Sequence, residues 1–239
     1  MPLTFSPPVP AVVLLDLDDT LYAERDWLLS GCRAVAGRAE TLLGRPAAEL
    51  YDWLLQRLLT EGRERLFDAL LAAHGRCDPA LGALLVHVFR SHRPQLTAFA
   101  DVAPALAAWR AHGCGLGLIT DGVSCVQHAK LDGLGLRAGF DLVLCTDDLP
   151  GAPRKPAPLA FQLALAHFGC APERAVYIGD DPSKDFFAPR ALGMHTLRID
   201  RHLPWPLQSR RDFPDSHQAH RTIESLAEAA APDASGLAA

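Results

Sequence analysis

Residues 11–21 read Ala-Val-Val-Leu-Leu-Asp-Leu-Asp-Asp-Thr-Leu, an apolar run that ends with Asp16, Asp18 and Asp19 inside four positions. Two such charges about 4 Å apart repel by roughly 4 kcal/mol at an effective dielectric constant of about 20. A bound metal ion or a lysine would remove that cost. A strand that ends in a solvated acidic turn is an equally ordinary interpretation of this segment by itself. Its function therefore has to be inferred together with the rest of the chain.

Composition restricts the possible partners. The 239 residues allow one or two domains, and 49% hydrophobic with 21% charged residues is ordinary for a globular protein. The formal net charge of -5 comes from 23 basic and 28 acidic residues spread along the sequence, so nothing favours nucleic acid as a partner. No stretch approaches the roughly 18 apolar residues of a membrane helix, and the N-terminus lacks the basic start of a signal peptide. We expect a cytoplasmic protein with neither a nucleic-acid nor a membrane partner.

Cysteines and histidines do not form recognisable metal motifs. The six cysteines are scattered without a Cys-x-x-Cys pair, which predicts reduced and mostly buried thiols. The ten histidines have no partner at ligand spacing, which argues against a histidine metal site. An EF-hand loop beginning at Asp16 is excluded because Leu21 stands at the position that requires glycine. Gly113, Gly115 and Gly117 precede or enter a strand instead of following one, unlike dinucleotide-binding glycines.

Hydrophobic periodicity predicts an alternation of strands and helices. Short apolar runs predict strands at Val12 to Leu15, Leu116 to Thr120, Leu142 to Thr146, Ala175 to Gly179 and His195 to Ile199. Helical patterns lie at Val102 to His112, Val123 to Leu134, Pro158 to Phe168 and Lys184 to Leu192. Such alternation implies an α/β fold with a mostly parallel sheet covered on both faces. Ligands of these sheets bind at the carboxyl ends of the strands.

A long segment interrupts this alternation between Leu21 and Phe99. It contains no convincing strand, and its amphipathic stretches predict helices at Asp26 to Leu43, Ala47 to Leu59, Arg63 to Ala73 and Pro79 to Phe89. We therefore expect residues 1–21 and 97–200 to form a core domain and residues 22–96 an inserted helical subdomain. The remaining residues, 201–239, form an expected C-terminal extension with a short helix near Thr222 to Ala230 and a disordered end at Pro232 to Ala239.

Polar signatures follow the predicted strands at one edge of the sheet. They are Asp16-Leu17-Asp18, Thr120-Asp121-Gly122 and Gly179-Asp180-Asp181-Pro182-Ser183-Lys184-Asp185. A loop lysine, Lys155, lies before the fourth strand and is followed by prolines suited to beginning a helix. Taken singly, each feature is an ordinary strand-end hydroxyl, solvated charge or helix N-cap. Because parallel strand ends can meet in one cleft, their coincidence favours a functional site.

In this order the four pieces resemble the motifs of the haloacid dehalogenase-like (HAD) superfamily of phosphohydrolases. That pattern is D-x-D-x-T, then Ser or Thr, then Lys, then G-D-x-x-x-x-D, and the resemblance covers about residues 11–200. It implies a Rossmann-like sheet in the order 5-4-1-2-3 with an all-helical cap inserted after the first motif, where residues 22–96 lie. The family often has Asn after the Thr or Ser, whereas this chain has Asp121, which changes the local charge.

The resemblance assigns chemistry to the carboxylates. Asp16 is expected to be the nucleophile that forms an aspartyl-phosphate, and Asp18 the acid that protonates the leaving oxygen and then activates water. Mg²⁺ is expected as the cofactor, held by the Asp16 carboxylate, the Asp18 backbone carbonyl and Asp180. Asp181 and Asp185 are expected to support these ligands or to offer an alternative one.

The resemblance also assigns the groups that bind phosphate. Thr120 is expected to donate its hydroxyl to a phosphate oxygen, with the backbone N–H groups of Asp121 and Gly122 assisting. Lys155 is expected to neutralise Asp16 and the phosphoryl group at close range. Specificity is expected from the cap and from the segment after the first motif, with Tyr22, Glu24 and Arg25 as candidates. The basic cluster at residues 90–93 is expected to be a solvated hinge, with contact to an anionic substrate as the alternative.

The resulting function hypothesis is a Mg²⁺-dependent phosphatase of a small phosphorylated metabolite, of the sugar phosphate or nucleoside monophosphate class, acting as a monomer or homodimer. One alternative is a phosphomutase of the same superfamily. A haloacid dehalogenase is disfavoured, because those relatives need no metal and usually lack the second acid, whereas Asp18 and Asp180 are both present. A catalytically silent binding protein is disfavoured because the nucleophile, acid and metal-ligand positions are all intact.

Overall fold

The computed structural model describes residues 9–203 and 213–230. The described chain divides into two compact units. We call residues 24–96 the helical unit, and residues 9–23, 97–203 and 213–230 the core unit.

The helical unit contains α1 (Glu24–Leu43), α2 (Ala47–Glu61), α3 (Leu66–Ala73) and α4 (Pro79–Ser91). On α2, Leu54 and Leu58 are fully buried, as the leucine spacing predicted, and Leu50 one turn earlier is buried as well. The third helix begins later than predicted, because Arg65 has a left-handed φ of 48° and cannot continue a helix. At α4 the Asp78 carboxylate accepts a hydrogen bond from the Ala80 backbone N–H at 2.8 Å, which caps the helix.

The core unit contains a sheet whose six described strands are all parallel. They are β1 (Val12–Leu15), β2 (Gly115–Thr120), β3 (Leu142–Cys145), β4 (Ala175–Gly179), β5 (His195–Ile199) and β6 (Arg221–Ile223). Their order is β3-β2-β1-β4-β5-β6. The predicted order 5-4-1-2-3 is thereby confirmed, with β6 added beside β5.

Close packing explains the glycines that the sequence places in β2. A Cβ atom on Gly117 would lie 2.5 Å from Leu14 Cδ2, and one on Gly115 would lie 2.8 Å from the ring of Phe168. These glycines therefore let the Leu14 side chain of β1 and the Phe168 ring pack directly against β2. All four residues of the adjoining central strand β1 are buried, as its continuous apolar run predicted.

The core unit has five described helices: α5 (Val102–Ala111), α6 (Ser124–Gly133), α7 (Leu159–Phe168), α8 (Phe187–Leu192) and α9 (Ala227–Ala230). The prediction that α8 begins at Lys184 is wrong by three residues. Asp185 instead closes a tight turn, in which its Oδ2 accepts the Asp181 backbone N–H and its own N–H donates to the Asp181 carbonyl, both at 2.9 Å. The helix begins only after that turn.

The C-terminal part differs most from expectation. The helix predicted from Thr222 to Ala230 is wrong in its first half, because residues 221–223 pair with β5 as the parallel strand β6. The β-branched residues Thr222 and Ile223 suit that edge position, and only the short helix α9 follows. The end expected to be disordered, from Pro232 to Ala239, lies outside the described residues.

All six cysteines are free thiols. The expectation that most are buried is wrong for half of them, since Cys77 and Cys125 are exposed and Cys170 is intermediate. Among the described helices, none combines the length and the apolar character that a membrane crossing requires.

Candidate active site

Asp16 lies where the central strand β1 ends. Its side chain is 1% exposed, and its backbone N–H donates to the Ile178 carbonyl of β4 at 2.9 Å. Lys155 Nζ donates to Asp16 Oδ1 at 2.8 Å, and Lys184 Nζ lies 3.4 Å from Oδ2. Burial raises the pKa of Asp16, while the two ammonium groups oppose that rise. The carboxylate is thus held between cations in a water-poor position.

Lys155 organises the interior of the site. Its fully buried Nζ donates to Asp16 Oδ1, to Asp185 Oδ1 at 2.7 Å and to the Tyr177 hydroxyl at 2.9 Å. The Tyr177 hydroxyl in turn donates to Asp185 Oδ1 at 3.0 Å. Burial acts to lower the pKa of Lys155, but Asp16 and Asp185 outweigh it, so its pKa is raised. The ammonium therefore stays charged and uses all three protons within the protein.

Three carboxylates form an acidic cluster beside this lysine. One oxygen from each of Asp16, Asp180 and Asp185 lies within 4.8 Å of the other two. Burial, together with Asp185 and Asp16, raises the pKa of Asp180 well above its ordinary value, although Lys184 opposes the rise. Carboxylate oxygens are the ligands that Mg²⁺ prefers, and a divalent cation would offset the repulsion among them. The three carboxylates therefore fit the Mg²⁺ ion that the family resemblance implies.

Asp185 is engaged by the protein on both oxygens, since Oδ1 accepts from Lys155 and Tyr177, and Oδ2 accepts the Asp181 backbone N–H. Burial would raise the pKa of Asp185, but Lys155, Lys184 and the Asp181 backbone N–H outweigh burial and lower it. Both Asp185 oxygens are thus committed to hydrogen bonds within the core unit. The Asp181 carboxylate accepts the Ser183 backbone N–H at 2.9 Å and shapes the loop.

The Asp18 carboxylate has a different set of partners from the acidic cluster. Lys130 Nζ donates to its Oδ1 at 2.8 Å and to its Oδ2 at 2.9 Å. The Tyr22 hydroxyl donates to Oδ1, and Gln127 Nε2 donates to Oδ2 at 2.9 Å. Burial acts to raise the pKa of Asp18, but Lys130 and these hydrogen bonds outweigh it and lower the pKa. Asp18 is therefore an ionised carboxylate in this state.

Thr120, at the end of β2, is the predicted phosphate-binding hydroxyl. It is buried, and its Oγ1 accepts a hydrogen bond from Gln127 Nε2. The neighbouring Asp121 carboxylate points into the protein, where it accepts the Thr146 hydroxyl at 2.8 Å and the Lys155 backbone N–H at 3.2 Å. Asp121 thus holds the loop that carries Lys155. Gly122 has a φ of 139°, a conformation that glycine favours.

The structure brings Asp16, Lys155, Asp180 and Asp185 together, and Gln127 links Thr120 to Asp18. Sequence reasoning missed four further polar residues of the site, namely Gln127, Lys130, Tyr177 and Lys184. Gln127 and Lys130 carried a weak signal, since both lie one turn apart on the buried side of an otherwise apolar helix face. Tyr177 carried none, because an aromatic residue in a buried strand is ordinary core.

The residues expected to set specificity lie in both units of the chain, with different partners. Tyr22 is fully buried in the core unit and donates to Asp18. Glu24 pairs with Arg63 at 3.2 Å within the helical unit. In the basic cluster Arg90 and Arg93 are exposed, in agreement with a solvated segment, whereas His92 lies beside the Trp27 and Phe89 rings.

Comparison with known proteins agrees with this geometry. Residues 10–193 match the family model of haloacid dehalogenase-like hydrolases. The chain is 33% identical to a phosphoserine phosphatase of Thermus thermophilus, with 80% of this chain and 89% of that protein covered. It is 34% identical to a glyceraldehyde 3-phosphate phosphatase of Methanopyrus kandleri, with 84% and 88% covered. The structure of a HAD phosphatase from Thermococcus onnurineus superposes with a TM-score of 0.59 at 25% identity, covering 91% of this chain and 94% of that one.

A buried strand-end aspartate, a lysine that contacts it and an acidic loop after the fourth strand thus occur in a chain that belongs to the haloacid dehalogenase-like hydrolase family. Within that family it is an enzyme of the phosphatase class.

Proposed function

We propose that this chain is a Mg²⁺-dependent phosphatase that hydrolyses a small phosphorylated metabolite through a phosphoryl group carried on Asp16. The observation that carries the proposal is the position of Asp16, buried at the end of β1 between Lys155, Lys184 and the carboxylate of Asp180. The similar proteins named above are phosphatases of phosphoserine and of glyceraldehyde 3-phosphate, which are small phosphate esters.

The two oxygens of Asp16 differ in their environment, and this suggests which one attacks. Oδ1 accepts a hydrogen bond from Lys155 Nζ at 2.8 Å, whereas Lys184 Nζ lies at the longer distance of 3.4 Å from Oδ2. Oδ2 would therefore form the bond to phosphorus as the bond from phosphorus to the ester oxygen breaks. Lys155 would hold Oδ1 in place, and Thr120 would donate its hydroxyl to a phosphoryl oxygen.

Asp18 would move the protons of both half-reactions. In the first, its carboxyl group gives a proton to the leaving oxygen; in the second, its carboxylate takes a proton from the water that attacks phosphorus and releases inorganic phosphate from Asp16. The lowered pKa of Asp18 suits the second role. The negative charge of a bound phosphate ester would raise that pKa and favour the first.

Mg²⁺, when bound by Asp16, Asp180 and the backbone carbonyl of Asp18, would neutralise charge on the phosphoryl oxygens.

This metal site predicts an effect on thermal stability as well as on activity. A ligand that binds only the folded state at a hundredfold excess over its dissociation constant stabilises it by about 2.7 kcal/mol. Millimolar Mg²⁺ should therefore raise the melting temperature of the wild type, and the isosteric Asp180→Asn variant should lose that rise.

The decisive experiment measures phosphate release from phosphoserine, a range of sugar and triose phosphates, nucleoside monophosphates and an aryl phosphate, with Mg²⁺ or with EDTA. We expect release by the wild type with Mg²⁺, none with EDTA and none by Asp16→Asn, whose circular dichroism spectrum should remain native. Undiminished release by Asp16→Asn, or no release by the wild type from any ester, would overturn the proposal. Phosphoryl transfer between sugars without net release would indicate a mutase instead.

A further inference from the structure

The helix α6 holds the Asp18 carboxylate from one side. Two of its side chains, Gln127 and Lys130, donate three hydrogen bonds to that carboxylate at 2.8–2.9 Å. The two residues are three positions apart, so they project from the same face of the helix one turn apart. Neither was assigned a role from the sequence.

Lys130 is an unusual residue for its position. Its side chain is only 4% exposed, and the Asp18 side chain that it contacts is 15% exposed. A lysine is rarely buried to this degree unless it is paired, because removing an ammonium group from water is costly. The contact with both carboxylate oxygens fixes the direction of the Asp18 side chain as well as neutralising it.

Gln127 joins two groups of the proposed site. The same Nε2 that donates to Asp18 Oδ2 also donates to Thr120 Oγ1. Its side chain packs closely over Gly122, where an added Cβ would lie 3.0 Å from Gln127 Cδ. One buried amide therefore sets the spacing between the predicted phosphate-binding hydroxyl and the predicted proton donor.

We propose that Lys130 and Gln127 are positioning residues, which hold the Asp18 carboxyl group at a set distance from Thr120 so that it faces the leaving oxygen of a bound phosphate ester. The proposal rests on the proposed function, because it assumes that Asp18 transfers protons. Proton transfer in a transition state requires the donor within hydrogen-bond distance of the reacting oxygen. Loss of either positioning residue should therefore weaken protonation of the leaving group while phosphate binding is largely kept.

This mechanism predicts a specific kinetic signature. A phenol that is already acidic leaves without help, whereas a weakly acidic phenol needs a proton as its bond to phosphorus breaks. The ratio kcat/KM reports steps up to release of that phenol, so it is independent of the later hydrolysis at Asp16. Mispositioning of Asp18 should thus lower kcat/KM most for the weakly acidic leaving groups.

The experiment measures kcat/KM with Mg²⁺ for a series of aryl phosphates of graded leaving-group acidity, using the wild type, Lys130→Met, Gln127→Leu and Asp18→Asn. We expect all three variants to show a steeper dependence on leaving-group acidity. For the poorest leaving group the loss should be about 100-fold, within the range typical of general acid catalysis. For the best leaving group we expect a loss several times smaller. Adding Lys130→Met to Asp18→Asn should cost little more, because both act on one step.

Leu131→Ala is the matched structural control. Leu131 is fully buried on the same helix, and its side chain has no hydrogen-bonding group. This variant should lower the melting temperature and change kcat/KM by the same factor for every ester. Gln127→Leu removes no charge, so it provides an independent test if Lys130→Met fails to fold.

The outcomes separate the two proposals. No phosphate release by the wild type contradicts the proposed function itself. An active wild type whose leaving-group dependence is steepened by Asp18→Asn, but not by Gln127→Leu or by folded Lys130→Met, would overturn the positioning roles alone. A uniform loss across all esters, like that of the Leu131→Ala control, would also reduce Lys130 and Gln127 to structural residues.

Discussion

Asp185 packs so closely against the end of β4 that position 179 has no room for a side chain. A Cβ on Gly179 would lie 2.7 Å from Asp185 Oδ2 and 2.8 Å from its Cγ. Asp185 cannot easily move, because Lys155, Tyr177 and the Asp181 backbone N–H all hold it. A side chain at position 179 would therefore disturb the same carboxylate that orients Lys155.

We expect Gly179→Ala to destabilise the protein by about 1–3 kcal/mol, as overpacked buried sites typically do, and to lower phosphatase activity. The matched control is Gly37→Ala on α1, where a Cβ meets nothing within 4 Å. Since Gly37 is an exposed helical residue, that change should stabilise by about 0.5–1 kcal/mol. Urea denaturation of both variants measures the two signs. An unchanged unfolding free energy for Gly179→Ala would show that Asp185 can shift freely.

Site residues could be proposed from the sequence where chemistry and chain position act together. Asp16 and Lys155 could be predicted from the sequence because a strand end and a loop lysine follow a recognisable order, and the structure places them 2.8 Å apart. Lys130 gave only a weak signal, because a lysine on an amphipathic helix is normally solvated. Its burial depends on a contact with Asp18, which lies 112 positions away.

At the scale of elements, one carboxylate ties the C-terminal segment to the start of α5. Asp101 Oδ2 accepts hydrogen bonds from Arg201 at 2.7 Å, and from the Ser225 hydroxyl and the Leu226 backbone N–H, both at 2.8 Å. Arg201 also donates to the Thr20 carbonyl at 2.8 Å. The segment after β6 is thus held by side-chain contacts distant in sequence.

We expect Asp101→Asn to destabilise the protein by about 2 kcal/mol, since charge-assisted hydrogen bonds are lost. Burial acts to raise the pKa of Asp101, but Arg201, Leu226 and Ser225 outweigh it and lower the pKa below the ordinary 3.8. The stabilisation from Asp101 is therefore fully present above the unfolded-state pKa of 3.8, and it is lost as the pH falls through the lower pKa of the folded state.

Urea denaturation between pH 7 and pH 3 provides the test for Asp101. The difference in unfolding free energy between the wild type and Asp101→Asn should be constant near neutrality and should shrink toward pH 3. A difference that stays the same at pH 3 would show that the wild-type carboxylate does not contribute through its charge.

Helices and strands could be predicted where the local hydrophobic pattern sets their bounds, and not where a contact with a distant segment does. The bounds of β1, β4 and β5 agree with the predicted ones. The strands β1 and β4 are short apolar runs that end at a polar loop, which is a local signal. The three-residue strand β6 escaped prediction, because its strand state depends on pairing with β5. The late start of α8 likewise depends on the turn that Asp185 closes.

At the scale of the whole molecule, the chain leaves the core unit and returns to it at two points that lie close together in the core unit. The Phe99 backbone N–H donates to the Leu21 carbonyl at 2.9 Å, so the core unit itself brings both ends of the insertion together. We propose that the core domain folds without the inserted residues, because chain ends that are already close can be joined by a short loop at small entropic cost.

Replacement of residues 24–96 by a short Gly-Ser linker should therefore leave a core domain that unfolds cooperatively, with reduced helix content in circular dichroism. The control is the same linker in place of α7, whose Phe161 and Ala164 are fully buried in the core. That variant should fail to fold. An unfolded product from the first replacement, with the full chain folded, would contradict the proposed domain organisation.

The amino-acid sequence by itself determined the alternation of strands and helices. It also predicted a helical insertion after the first strand, the strand-end residues Asp16, Thr120 and Asp180, and the loop residue Lys155. These depend on periodicity and on residue order, which are local properties of the chain. Only the tertiary structure decided that Lys130 and Gln127 hold Asp18, that Asp121 faces the Lys155 loop and that β6 completes the sheet. Each of these arises from a contact between segments distant in sequence, whose energy exists only after the sheet has brought them together.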